Sequence, residues 1–269
     1  MPFFYLRRVD KFFSATHFLK YKLMGGTAHD VHSPFVFDLL NDVIRDETPF
    51  YVYDKIEALR ARLLLDESIL NVTDLGTGGE RNQKRSLKVK YIAGTFLKSA
   101  RCSQLLFRLV NHFHPRNILE LGTSLGITTL YLASPYRNTQ VITMEGCPET
   151  AKKAREHFDF FQMENIRVVT GDFSLNLSNV LENIGEAGMV FFDGNHKRDA
   201  TISYFNEALH HAGNDTIFIF DDIHWSREME AAWDTIKAHP RVTLSIDLFQ
   251  LGLIFFRSGI PRQHFVLKF

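Results

Sequence analysis

The chain has little of several things that would mark a specialised class. Two cysteines in 269 residues, Cys102 and Cys147, exclude a disulfide framework. The 31 basic residues are matched by 31 acidic ones, so net charge gives no reason to expect a nucleic-acid partner. No apolar run approaches the roughly 20 residues that cross a bilayer. The opening "MPFFYLRRVDKFF" is too short and too broken by charge to be a secretory signal. There is no tandem repeat and no low-complexity tract. What remains is ordinary globular composition, 45% apolar and 23% charged, expected in the cytoplasm and away from membranes. The 25 phenylalanines read as core filling.

The texture changes near residue 115. Before it, helices are expected over about 10–22, from Ser33 onward, and over about 54–65. Ser33 can cap, Pro34 suits a first helical position, and Phe37, Leu40 and Ile44 recur at helical spacing. The basic stretch "GGERNQKRSLKVK" reads as a surface loop. A helix ending at Pro115 puts Cys102, Leu105, Leu109 and Phe113 on one stripe. Beyond it, strands at 117–121, 140–145, 166–171, 188–193 and 216–221 alternate with helical segments. Apolar strands each followed by a helix imply a parallel sheet covered on both faces. "VTLSID" and "LGLIFF" are separated only by "LFQ", which requires an antiparallel hairpin.

The expected fold is therefore α/β: a Rossmann-like, seven-stranded, mostly parallel sheet with a terminal antiparallel hairpin and a helical N-terminal extension. The expected division is an extension with the basic loop over 1–97, the α/β domain over 98–258 and a C-terminal tail over 259–269.

Two stretches share one grammar of apolar run, acid and glycine turn: "VTDLGTGG" at 72–79 and "ILELGTSLG" at 118–126. Such a turn ends a buried strand and lets backbone approach a ligand. In an open parallel sheet the next strand should end in an acid that binds ribose hydroxyls, roughly 20 residues on. Glu145 ends "VITME" 25 residues after Glu120, whereas the window after Asp74 holds no acid. The second turn is the site by this test. The first is a turn into the basic loop or part of a lid. Ser124 stands where a dinucleotide fingerprint needs its middle glycine, which disfavours a nicotinamide oxidoreductase.

"ELGTSLG", "VITMEG", "FFDGNHKRD" and "FIFDDIHW", in this order, resemble the class I S-adenosylmethionine-dependent methyltransferases. The resemblance is closest to the catechol and caffeoyl-CoA type O-methyltransferases and their bacterial relatives, and covers about residues 98–257. It implies S-adenosylmethionine as cofactor. It places Glu120, Gly122, Thr123, Ser124 and Gly126 around the methionine part, with Thr128 near its carboxylate. It gives Glu145 the ribose hydroxyls and puts Asp172 near the adenine amino group. Plain turn glycines, and a helix-capping role for Asp172, are the alternatives.

Asp193 ends one strand, and Asp221 and Asp222 end the next. Three converging carboxylates repel unless neutralised, and a divalent cation such as magnesium is one solution. The alternative has no metal: Asp193 bonds the cofactor or substrate, and Asp221 or Asp222 caps a helix. Asp193 and His196 are the catalytic candidates. The resembling enzymes often carry a lysine as general base where His196 stands, and the adjacent Lys197 leaves the register open. His224 and Trp225 line the acceptor pocket or begin a helix. His29 and His32 suit a loop or helix entry better than a metal site.

The expected function is methyl transfer to a hydroxyl of a small molecule. A nitrogen or macromolecular acceptor, and a non-catalytic binding protein, are the rivals. A homodimer is compatible with the sequence.

Overall fold

The computed structural model describes residues 11–26, 31–74 and 83–269. They form two compact units. One holds the described residues from 46 to 180, and the other holds those up to Arg45 and from Leu181 to Phe269. The main sheet has eight strands, and a separate sheet has two.

In the unit spanning residues 46–180, helix α3 (Tyr51–Leu65) leads to a hairpin of β1 (Ile69–Asp74) and β2 (Gln83–Lys88). Helices α4 (Val89–Phe96) and α5 (Ala100–Phe113) follow. Next comes the alternation β3 (Asn117–Leu121), α6 (Ile127–Ala133), β4 (Gln140–Glu145), α7 (Pro148–Phe160) and β5 (Ile166–Thr170), with α8 (Phe173–Ile184) closing it. Strand β4 pairs in parallel with β3 and β5. The register sets Glu120 beside Thr143. Tyr53, Ile56, Phe107, Tyr131 and Phe158 belong to one buried cluster, so helices from before residue 97 share a core with the glycine-turn helix.

The other unit takes helices α1 (Lys11–Met24) and α2 (Pro34–Leu39), the latter continued by a π-turn over Leu40–Ile44. It also holds β6 (Ala187–Phe192), α9 (Arg198–Leu209), β7 (Ala212–Asp221), α10 (Arg227–Lys237), β8 (Leu244–Asp247), β9 (Leu251–Phe255) and β10 (Gln263–Val266). Strands β6 and β7 run parallel, and β9 is antiparallel to both β7 and β8. Phe192 stacks on Phe220 with ring centroids 4.3 Å apart. Helix α1 is tied to the chain end: the Tyr21 hydroxyl donates to the Leu267 carbonyl (2.6 Å) and accepts from the Phe269 N–H (2.8 Å).

Three sequence expectations change. The basic stretch is not a loop throughout: residues 83–88 are strand β2, paired residue for residue with β1. Charge hid the period-2 pattern, in which Leu87 packs on the unit's core beside Leu70 and Val72. Residues 259–269 are not only a tail, because β10 adds an eighth strand parallel to β8. Ser33 stands at the start of α2 but its side chain makes no cap; Pro34 opens the helix alone. The glycines of "VTDLGTGG" and His29 lie outside the described residues. Among the described residues, no helix is long and apolar enough to cross a membrane.

Candidate functional site

The glycine turn between β3 and α6 is fixed at almost every residue. Gly122 and Thr123 both donate their N–H to the Met144 carbonyl, at 3.0 and 3.2 Å. Ser124 donates its N–H to Glu145 Oε2 (2.8 Å). His157 Nδ1 donates to the Leu125 carbonyl (2.9 Å). Burial holds the His157 pKa below its usual value, which keeps the ring neutral. Gly122 (φ 110°), Ser124 (φ 48°) and Gly126 (φ 80°) all take left-handed backbone. At Gly126 a Cβ would lie 2.6 Å from the Phe158 ring, so this glycine is set by packing against α7.

Glu120 is fully buried and points into the protein. Its Oε2 accepts from the Thr129 hydroxyl (2.5 Å) and the Thr143 hydroxyl (2.6 Å). Thr143 Oγ1 also lies 2.6 Å from Thr123 Oγ1. Thr143 has one hydroxyl proton and gives it to Glu120, so Thr123 is the donor in that pair. Glu120 and Thr123 therefore brace the turn from beneath, and only the Thr123 backbone belongs to its rim. Thr129 and Thr143 went unnoticed in the sequence; hydroxyls on a helix and a strand give no signal until register puts them beside a buried acid. Thr128, in the first turn of α6, is buried next to Thr129.

Glu145 ends β4 with its carboxylate spread over two backbone donors, Ser124 N–H on Oε2 and Cys147 N–H on Oε1 (2.9 Å). Burial pushes its pKa up to about 6, against the opposing pull of the Cys147, Ser124 and Gly146 N–H groups. A carboxylate has roughly four acceptor positions, so this one can still take two hydroxyl protons. Strand β1 meets the connection between β4 and α7: the Thr73 N–H reaches Cys147 Sγ at 3.4 Å. Asp172 opens α8, and its Oδ1 accepts from the Ser174 N–H (2.9 Å) and hydroxyl (2.7 Å). That oxygen is a helix cap.

In the other unit, the ends of β6 and β7 bring Asp193, His196 and Asp221 together, one ligand-type atom from each lying within 4.8 Å of the others. Asp221 is fully buried, whereas the Asp193 and His196 side chains are 16% and 24% exposed. His196 Nε2 stands 3.6 Å from Asp193 Oδ1. Asn195, at φ 51°, makes the left-handed kink that folds His196 back towards Asp193. Asp222 also has left-handed backbone (φ 53°) but gives no atom to this group. Lys197 is exposed at the start of α9.

His224 lies apart from that group in a polar chain of its own. Its Nε2 is 2.7 Å from Asp247 Oδ2, and its ring stacks on Phe249. Its Nδ1 is 3.8 Å from Glu230 Oε1, which also receives His17 Nε2 at 2.9 Å. Nothing in the sequence linked His224 to Asp247, which the β8–β9 hairpin brings to it. The Trp225 N–H donates to the Asp222 carbonyl (2.9 Å), just before α10.

A family model described as a methyltransferase domain matches residues 119–223. The fold is similar to that of an O-methyltransferase from Bacillus cereus in complex with SAH. The TM-score is 0.55 and the identity 19%, over 81% of this chain and 96% of that one. It is also similar to the O-methyltransferase TomG from Streptomyces achromogenes in complex with SAM, at TM-score 0.52 and 19% identity, over 61% and 82% of the two chains. An SAH-bound methyltransferase of Podospora anserina gives TM-score 0.53 and 16% identity, over 79% and 99%. No curated protein sequence matches the chain.

Proposed function

We infer that this chain, which carries a methyltransferase domain and the fold of the class I S-adenosylmethionine-dependent methyltransferases, transfers a methyl group to a hydroxyl of a small molecule. The observation that supports this most is the bond between the Ser124 N–H and Glu145. It locks a glycine turn to the acid 25 residues after Glu120, which is the pairing that a ribose-bearing cofactor needs.

S-adenosylmethionine would bring a methyl group on a positively charged sulfur, ready for in-line transfer to an oxygen. The chain's own residues do the rest. Glu145 would accept the ribose hydroxyls, and the backbone of Gly122, Thr123 and Ser124 would hold the methionine part. Gly126 and Glu120 hold that backbone in place from behind. Thr128 follows in α6, near where the cofactor carboxylate would be held, and Asp172 would meet the adenine through the carboxylate oxygen that does not cap α8. Asp193, His196 and Asp221 are assigned to the acceptor, where they favour loss of its hydroxyl proton.

A polyanionic acceptor is the weaker reading. Glu67 sits 2.7 Å from Lys88 and also pairs with Lys90, so its single charge offsets a part of the basic run's pull. Cys102 and Cys147 are buried without a disulfide, in keeping with the cytoplasm.

Calorimetry with S-adenosylhomocysteine tests the reading. Wild type should bind, and Glu145→Ala should bind about 10- to 100-fold more weakly through the loss of two charge-assisted hydrogen bonds. No heat at about millimolar ligand would end the methyltransferase reading.

A further inference from the structure

We propose that helix α1 docks this protein on an anionic lipid surface, through an outward stripe of Leu19 and Leu23 flanked by Lys20 and Lys22. The inference does not rest on the methyltransferase reading.

The helix has a used face and an unused one. Tyr21 is the inward anchor: it is buried, and its hydroxyl bonds the Leu267 carbonyl and the Phe269 N–H. His17, one turn earlier, shares that face and meets Glu230 at 2.9 Å. Just past the helix end, the Gly26 N–H donates to the Val266 carbonyl (2.8 Å) and completes the attachment. Held at these points, α1 does not roll to hide its other side chains. At about 100° per residue, Leu19 and Leu23 fall on the side opposite Tyr21, and they are 62% and 77% exposed. Lys20 and Lys22 flank this pair, one on each side, and both are exposed. Phe18, half-exposed, borders Lys22, whose Nζ lies 5.3 Å from the ring centroid.

Charge decides what covers the stripe. Helix α1 contains no acid. Residues 1–26 carry Arg7, Arg8, Lys11, Lys20 and Lys22 against Asp10 alone. The whole chain is neutral, so the part after Gly26 carries a surplus of acids. An anionic surface therefore attracts one end of the chain and disfavours the rest, which turns α1 towards it. The lysine stems keep their ammonium groups at phosphate level while the leucines enter the acyl boundary. A second copy of α1 is a poor partner, because lysine would meet lysine. A groove-binding helix presents anchors at i, i+3, i+4 and i+7, and this stripe supplies only an i, i+4 pair. A fluid lipid surface needs no such match. Among the described residues no helix crosses a bilayer, but lying on one asks only for a shallow apolar face beside basic side chains.

The test is flotation of the full chain with vesicles. One set is pure phosphatidylcholine, and the other contains about one-third phosphatidylglycerol, both at about 0.1 M salt. The chain should float with the anionic vesicles and stay behind with the neutral ones. Salt at about 0.5 M should weaken binding about tenfold. Leu19→Gln with Leu23→Gln should weaken it about tenfold or more, and Lys20→Glu with Lys22→Glu should abolish it. All four side chains are exposed, so these variants should keep the fold, which melting curves check. Leu23→Trp reads insertion separately: its emission should move to shorter wavelength on anionic vesicles only. No flotation with anionic vesicles, equal flotation with both sets, full binding by the leucine pair, or an unshifted Trp emission would each overturn the proposal. So would a lipid-free dimer, seen by analytical ultracentrifugation, that the leucine pair dissolves, since the stripe would then belong to a second copy.

Discussion

Gly126 and Gly185 separate two reasons for using glycine. Both have left-handed backbone, with φ 80° and 72°. A Cβ on Gly126 would meet the Phe158 ring at 2.6 Å, whereas nothing lies within 4 Å of one on Gly185. Gly185→Ala should cost about 1 kcal/mol of backbone strain. Gly126→Ala should cost about 2–4 kcal/mol, as overpacking adds to strain. Urea denaturation of the two variants measures the difference; equal losses would remove the packing role of Gly126. Glu145 makes a prediction of opposite kind. Its carboxyl, pushed up to about 6 from 4.5, binds its proton more tightly folded than unfolded. Stability of the free protein should therefore fall as pH rises from about 4.5 to 6, and Glu145→Gln should remove that slope. Affinity for S-adenosylhomocysteine should move the other way, rising up to about tenfold between pH 5 and 7 as the acceptor form fills. A flat affinity profile would mean that ribose is not held by this carboxylate. The position of Glu145 was legible from spacing alone. The raised pKa was not, because burial depends on neighbours distant in sequence.

At the scale of elements, the turn is held by a hydrogen-bond chain that joins two strands to a helix. Thr123, Thr143, Thr129 and Glu120 connect the turn, β4, α6 and β3. Thr143→Val keeps the shape and removes the middle hydroxyl, leaving a fully buried carboxylate short of a donor. The expected loss is about 1–3 kcal/mol by chemical denaturation. Cofactor affinity should fall with it if the network also positions the turn. The parallel strands and their helices were readable because apolar runs of strand length alternate with helical stripes. The β1–β2 hairpin was not: in "QKRSLK" only Leu87 marks the buried face, and the rest is polar. β10 was missed for a related reason, since "QHFV" has too few residues to show a period.

At the scale of the whole chain, the residues sort by chemistry and by compact unit together. The glycine turn, Glu145 and Asp172 belong to the unit of residues 46–180; Asp193, His196, Asp221 and Asp222 belong to the other. Texture suggested a helical extension ending near residue 97. The helices of that region instead divide between two cores: α3 and α4 pack in the cluster around Tyr131, and α1 bonds to the C-terminal residues through Tyr21. Helical periodicity tells which face of a segment is apolar but not which core receives it. The fourfold set of strand-end motifs was visible from the start. The meeting of His196 with Asp193 and Asp221 was not, because it depends on backbone geometry at the strand ends, where Asn195 takes a left-handed φ of 51°.

The most direct test of the account is a crystal structure of the chain with S-adenosylhomocysteine bound. The account predicts both ribose hydroxyls within hydrogen-bonding distance of the Glu145 carboxylate, with the amino-acid part along the backbone of Gly122 to Ser124. Ribose bound to any other acid, or ligand seated away from this turn, would contradict it.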